Sequence, residues 1–294
     1  MIDIGRFGLW LGALNGVPAP ALRRVVREAE SLGYGAVWVN EALGREAFTN
    51  AAIVLAATER IPVATGVANI WVRDAAAMAN AARTLAEAYP GRFLLGVGAS
   101  HRELVDRRGH RYRQPYTAMR EYLDAMDATP FRSAPPPEPV PRILAALGPR
   151  MLALAAERGD GAHPYLVPPA HTARARAVLG PEPLLAPEQA VVLSTDPEVA
   201  RGIARQHLRG YRHLANYRRN LERLGFGADA LADGGSDEVV DALVAWGPIE
   251  RVADRIREHW DEGADHVAVQ VLTATPGEVS SADLAALAEA LRQR

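Results

Sequence analysis

Val63-Ala64-Thr65-Gly66-Val67-Ala68-Asn69-Ile70, a helical period from Asp74 to Tyr89, and Phe93-Leu94-Leu95-Gly96-Val97-Gly98 make up the stretch on which the fold turns. Both flanking runs are apolar almost throughout. Such runs suit strands buried on both faces, as a parallel sheet requires. Between them Asp74 can cap a helix whose inward face carries Met78, Ala82 and Leu85, and Tyr89-Pro90-Gly91 ends it. The unit is strand, helix, strand.

The same unit recurs in both directions. Phe7–Leu11 reads as a first strand, followed by a helix opened by Pro18, with Leu22, Val25, Val26 and Ala29 on one face and Gly33 closing it. Ala36–Val39 is a second strand, and a helix over about 46–59 leads into the third. Further strands are expected at Arg142–Leu147, Ala162–Val167, Ala190–Ser194 and His266–Leu272. Gly247-Pro248 starts a late helix with Ile249, Val252, Ile256 and Trp260 on one face. Ser280 caps the last helix, which turns Leu284, Leu287 and Leu291 inward. Eight strand–helix units in 294 residues predict an α/β fold, a (β/α)8 TIM-type barrel forming one domain over 1–294. An open doubly wound sheet is the alternative, but its glycine fingerprint is missing from Leu11–Gly16. The surplus length falls at 196–246, predicted as a helical insertion between the seventh and eighth strands. Ala134–Pro141 reads as a stiff proline-rich spacer.

Composition narrows the chemistry. Acidic and basic residues nearly cancel, at 35 against 33, so no global field favours nucleic acid or an anionic membrane. There is no cysteine and no lysine. That excludes disulfides, thiolate nucleophiles, Schiff bases and a P-loop lysine. The scattered histidines offer no metal-ligand spacing. Phe7–Leu14 is too short to span a bilayer, and a cytoplasmic location is the expectation.

A barrel places its functional groups at the C-terminal ends of its strands. Those ends hold Trp10, Asn40-Glu41, Asn69-Ile70-Trp71, Gly98-Ala99-Ser100-His101, Leu147-Gly148-Pro149 and His163-Pro164-Tyr165. Gly96-Val97-Gly98 either admits a flat ligand against the backbone or marks a bend at a barrel corner. Gly148-Pro149 opens a helix directly after a strand, where free amides attract an anion, although proline is also a routine helix starter. Arg102, Arg107, Arg108, Arg111 and Arg113 either clamp an anionic ligand or form a solvated loop.

The segment Val63–Ile70, the Asp74–Tyr89 helix and the run Pro90–His101 resemble the luciferase-like monooxygenase superfamily, and within it an actinobacterial branch of F420-dependent oxidoreductases. Gly109-His110, Tyr116–Asp127, Ala145–Met151, Gly159–Tyr165 and Pro187–Ala190 extend the likeness over nearly the whole chain. The resemblance implies a barrel that holds the deazaflavin coenzyme F420, or alternatively FMN, at its C-terminal mouth. It implies a cis peptide at Gly66–Val67 supporting the ring system, Asn69 at the ring edge, and Asn40, Gly98, Ala99 and Ser100 along the cofactor. Ala146, Leu147, Gly148 and Pro149 match its phosphate-binding turn, and His163 is a tail contact. Where a sugar-phosphate member has an acidic catalytic residue this chain has His101, and Asn40-Glu41 replaces an Asp-His pair. Catalysis is therefore expected from His101 as general acid or base, with Glu41 orienting it or sharing the role. Trp10 and Trp71 are expected to wall the substrate pocket. The implied function is hydride transfer between F420 and a small organic substrate, in a homodimer. An FMN-dependent monooxygenase and a non-catalytic flavin-binding protein are the alternatives.

Overall fold

Runs of Val, Leu and Ile that must hide both faces do become parallel strands, and the strands curl into a ring. The computed structural model describes residues 2–211, 213–232, 235–275 and 277–293. Phe7–Trp10 lies between Val267–Val271 on one side and Val37–Val39 on the other, and the pairing continues through Val63–Thr65, Phe93–Gly98, Arg142–Leu144 and Gly161–Ala162 to Leu184–Leu185. All of these pairs are parallel, with registers such as Leu9 opposite Val37, Val63 opposite Phe93 and Gly161 opposite Leu184. Leu184–Leu185 runs on through Ala186-Pro187 into Glu188–Val192, which pairs with Val267–Val271. Within that run the Ala186 and Glu188 amides donate to Ala162 and Pro164. Counting that run as one strand, and Val63–Thr65 with Ala68–Asn69 as another, eight strands close the barrel. This is the (β/α)8 architecture read from the sequence.

The seventh strand begins earlier than Ala190, because its first half sits between Pro183 and Pro187 and reads as a loop. The sixth is only Gly161–Ala162; beyond it Pro164 keeps one bond to the next strand, from the Glu188 amide, and Leu166 turns to φ +58°. The helices lie close to their expected positions. Ala19–Ser31 buries Leu22, Val25, Val26 and Ala29, and Gly33 follows at φ +81°. Asp74 accepts the Ala77 amide at 2.7 Å, and Met78, Ala82 and Leu85 face inward. Trp260 is the exception on its helix: it is half-buried, its indole donates to the Arg6 carbonyl, and His259 is the buried residue.

Residues 196–246, of which 212, 233 and 234 lie outside the described residues, hold helices Pro197–Leu208, Ala215–Leu224 and Asp237–Leu243. They end in a strand that the sequence reading missed, Val244–Trp246, paired with the upper part of the seventh barrel strand. Ala200, Ala204, Leu214, Tyr217, Leu221 and Val240 make a second apolar cluster with Ala190, Val192 and Leu166. That cluster anchors the segment over the barrel mouth.

Candidate active site

The third strand breaks its ladder at the mouth. Gly66 still donates to Val39 at 2.7 Å, the Gly66–Val67 peptide is cis, and pairing resumes with Ala68 opposite Val97 and Asn69 opposite Gly98. Thr65 fills the gap: its hydroxyl donates to the Gly96 carbonyl at 2.7 Å and accepts the Gly96 amide at 2.8 Å. The fourth-strand glycines make this bulge possible. A Cβ on Gly96 would lie 2.0 Å from the Thr65 oxygen, and one on Gly98 would lie 2.5 Å from Val67 Cγ2. These glycines make room for the neighbouring strand, an outcome that is neither the flat-ligand contact nor the corner bend offered by the sequence.

Above the bulge lies a cavity of about 630 Å³. Trp10, Asn40, Glu41, Gly66, Val67, Asn69, Gly98, Ala99, Ser100, His101, Ala146, Leu147, Gly148 and His163 all line it. Pro149 stands just behind, as the first residue of the helix Pro149–Arg158 that Gly148 caps with extended backbone. Trp71 does not line the cavity. Its indole donates to the Ala99 carbonyl at 2.8 Å and its ring packs on Tyr112, so it braces the loop behind the site.

The side chains divide by what holds them. Burial depresses the pKa of His101, more than its bond to Asn216 raises it, so the ring is neutral at neutral pH. His101 Nδ1 meets Asn216 Oδ1 at 3.1 Å. An amide oxygen only accepts, which puts the proton on Nδ1 and leaves Nε2 as a base. His163 is wholly buried and stacks on Trp38 at 4.4 Å, its Nδ1 donating to Ala186 at 2.6 Å. Burial brings its pKa down to about 4. Glu41 lines the same cavity, but its carboxylate is engaged elsewhere. Its carboxylate pairs bidentately with Arg73 and accepts the amides of Ala47 at 3.2 Å and Asn69 at 2.8 Å. The expected Glu41–His101 contact is absent among the described residues, because the nearer and fully charged partner, Arg73, takes both oxygens.

A family model, the luciferase-like monooxygenases, matches residues 5–266. The chain belongs to the luciferase-like monooxygenase family. Among its relatives, a Mycobacterium tuberculosis protein provisionally named a coenzyme F420-dependent oxidoreductase is 30% identical over 195 residues, 56% of each chain. The 5,10-methylenetetrahydromethanopterin reductase of Methanolobus tindarius is 29% identical over 161 residues, 49% of each. These matches span about half the length of the curated relatives. Among solved structures, an F420-dependent secondary alcohol dehydrogenase in complex with an F420-acetone adduct superposes with a TM-score of 0.79 at 16% identity, over the whole of both chains. The FMN complex of a type II Baeyer-Villiger monooxygenase component from Pseudomonas putida superposes at 0.71 and 15% identity, over 98% of this chain and 97% of that one. At those identities the likeness is one of fold.

In this luciferase-like chain the roof of the cavity comes from residues that the strand-end reading passed over. Tyr211, Leu214, Asn216, Tyr217, Arg219 and Arg223 face it from the segment after the seventh strand. Tyr165 joins Tyr211, Tyr217 and Trp10 in an aromatic wall, with ring centroids 5.1–6.3 Å apart. The signal was present, since Leu214, Tyr217 and Leu221 repeat at helical spacing in an otherwise polar stretch. Of the two readings of the arginine loop, the described contacts lie closer to the solvated one. Arg113 pairs with Glu121, Arg108 donates to the Ala42 carbonyl and Arg102 lies over Tyr112, while Arg107 alone of the five lines the cavity.

Proposed function

We propose that the protein is an oxidoreductase that moves a hydride between coenzyme F420 and a small organic substrate. One observation carries the reading: a single cavity runs from the broken third strand to the amide-lined turn at Gly148, with Arg107, Arg219 and Arg223 along it. A planar head with an anionic tail suits that shape. The residues fit such a group on two grounds. Glycine at 66 and 98 brings backbone to the cavity surface, and two buried polar atoms beside Gly66, Trp10 Nε1 and His163 Nε2, have no hydrogen-bond partner among the described residues. Family membership and the names of the relatives support the same reading.

Asn40, Gly66, Val67, Asn69, Gly98, Ala99 and Ser100 would hold the ring system. Ala146, Leu147, Gly148 and Pro149 would take the phosphate on free amides at the start of the Pro149–Arg158 helix. Arg223 reinforces that end, since its guanidinium stands 3.4 Å from where a Cβ on Gly148 would be. The coenzyme, when bound, supplies the hydride chemistry. The chain supplies orientation, exclusion of water and the proton. His101 Nε2 accepts a proton from a substrate hydroxyl or returns it to a carbonyl oxygen. Glu41 acts through structure, holding the Asn69 backbone against the cavity. Residues 196–246, taken as an insertion in the barrel, close the roof. We take the working form to be a cytoplasmic homodimer, which sedimentation and fractionation would test.

The deciding experiment is titration of the purified protein with F420 and with FMN, followed by an assay of hydride exchange. Binding of F420 with exchange supports the reading. Retention of FMN alone transfers the protein to the FMN-dependent monooxygenases, and F420 binding without exchange on a broad substrate panel makes it a cofactor-binding protein.

A further inference from the structure

Ser100 carries an uncommon backbone. Its φ is +53°, in the left-handed region that suits glycine, and among the described non-glycine residues only Leu166 shares that sign. A serine free of outside contacts favours negative φ, so its surroundings hold it in place. They do so through the carbonyls of the segment. The Ile70 amide donates to Gly98 at 3.1 Å, the Trp71 indole donates to Ala99 at 2.8 Å, and the Tyr112 hydroxyl donates to Ser100 at 3.3 Å. Three consecutive carbonyls are taken by three donors from two other loops. The clamp is itself braced. The Trp71 and Tyr112 rings lie 5.9 Å apart, the Arg102 guanidinium stands over Tyr112, and Asn69 Oδ1 accepts the Trp71 amide at 2.9 Å.

The residue delivered by this turn is His101. Its backbone is extended, and its carbonyl accepts the amides of Leu104 and Val105 to start the short helix Arg102–Arg107. Its ring meets Asn216 at 3.1 Å and lies 5.4 Å from Tyr217, so both contacts with the roof depend on the direction in which the chain leaves Ser100. Turning φ at Ser100 from +53° to the common range near about −60° would rotate everything that follows. Asn216 can fix the proton on the imidazole only where the ring arrives beside it.

We propose that Trp71 and Tyr112 are positioning residues for His101. By pinning the Ala99 and Ser100 carbonyls they keep Ser100 left-handed, and the left-handed turn brings the imidazole to Asn216 and the cavity. The catalytic meaning of this rests on the role given to His101 above. The positioning itself needs no cofactor.

The test therefore reads the His101 ring in the protein without added cofactor, by nitrogen-15 spectra in which its signals are assigned by their loss in His101→Gln. Trp71→Phe and Tyr112→Phe each remove one donor and keep a ring in place. The wild type should show His101 protonated on Nδ1, and each variant should show the two tautomers mixed. Adding Ser100→Gly to Trp71→Phe should return the ratio toward that of the wild type, because glycine takes the left-handed turn without a clamp. Tyr112→Phe deletes a single hydroxyl from a half-buried side chain, which keeps the test open should Trp71→Phe not fold. A wild-type ratio in either folded variant overturns the role of that residue. A mixed ratio that glycine does not restore overturns the link through Ser100. With F420 bound, Trp71→Phe should lower the rate of hydride exchange roughly tenfold and leave the Kd for F420 within about twofold; an unchanged rate with lost affinity overturns the positioning. Failure of the wild type to bind F420 or FMN overturns the functional reading instead, and the tautomer ratios still decide what Trp71 and Tyr112 do.

Discussion

Removing Arg73 should damage stability far more than its position near the surface suggests. The Glu41 side chain is 3% exposed and that of Arg73 10%. Glu41 accepts from both terminal nitrogens of Arg73, and among the described residues its other hydrogen bonds are from the amides of Ala47 and Asn69. Arg73→Met removes the guanidinium, which also lies over the Phe48 ring at 5.1 Å, and strands a buried carboxylate without a countercharge. Breaking a buried pair from one side costs about 3–5 kcal/mol. Two backbone amides still solvate Glu41, and Glu46, the second partner of Arg73, is 42% exposed and returns to water at little cost, so the lower half of that range is expected. Glu41→Gln should cost less, because Gln Oε1 can still accept from Asn69 and Arg73 retains Glu46. The double variant Arg73→Met with Glu41→Gln should recover roughly 2 kcal/mol relative to the sum of the singles, since no charge is left alone. Urea unfolding of the four proteins followed by circular dichroism measures all of this. A loss below about 1 kcal/mol in Arg73→Met, with no coupling, refutes the structural role and returns Glu41 to the list of candidate acid–base groups.

Stability should peak near neutral pH. Burial drives the pKa of His163, His207 and His266 down to about 4 and that of His259 to about 3, so the unfolded chain takes up protons below its ordinary value of 6.5 while the folded one does not. That stability is lost as pH falls from 6.5 toward 4, at roughly 3 kcal/mol per ring. Burial pushes Glu188 up to about 8, so between 4.5 and 8 the folded chain holds a proton that the unfolded one releases, and stability falls as pH rises through that window. Summing these groups puts the maximum at about pH 7. Urea midpoints from pH 4 to 9 should trace the dome and Glu188→Gln should flatten its alkaline side; an unchanged alkaline limb would mean that Glu188 is ionised in the folded protein. Asn216→Leu should lower the His101 pKa further, because the Asn216 bond raises it, and should mix the two imidazole tautomers. Nitrogen-15 spectra of the ring read both quantities, and an unaltered tautomer ratio would rule out Asn216 as the residue that orients it.

What was legible follows from range. The parallel strands announced themselves because both of their faces are buried, and Asp74, Gly33 and Pro149 marked helix ends through chemistry confined to a few neighbours. The barrel rule then brought Asn40, Asn69, Ser100, His101 and Gly148 to one rim without knowledge of any contact. The failures needed a partner far along the chain. Glu41 looked available until Arg73, 32 residues on, took its carboxylate. Trp71 looked like a pocket wall until its indole found Ala99. Leu184-Leu185 was hidden between prolines and is a strand only because Gly161 and Ala162 lie alongside. The roof was hardest to see: the spacing of Leu214, Tyr217 and Leu221 announces a helix, but nothing local says that it lies over a mouth whose His101 is 115 residues from Asn216.

That helix gives the site its logic. Ala215–Leu224 turns Tyr217 and Leu221 onto the upper barrel cluster, which fixes its rotation. With the rotation fixed, Asn216 meets His101 near one end and Arg223 stands by Gly148 near the other. Seven residues of helix separate the two contacts, about 10 Å along the axis. The group that sets the proton on His101 and the cation at the amide-lined turn are therefore parts of one rigid element. On the function proposed above, a ligand anion held at the Gly148 end would pull on the same helix that orients His101, so tail binding and proton transfer would share one support, and a displacement of that support of about 1 Å would misplace both.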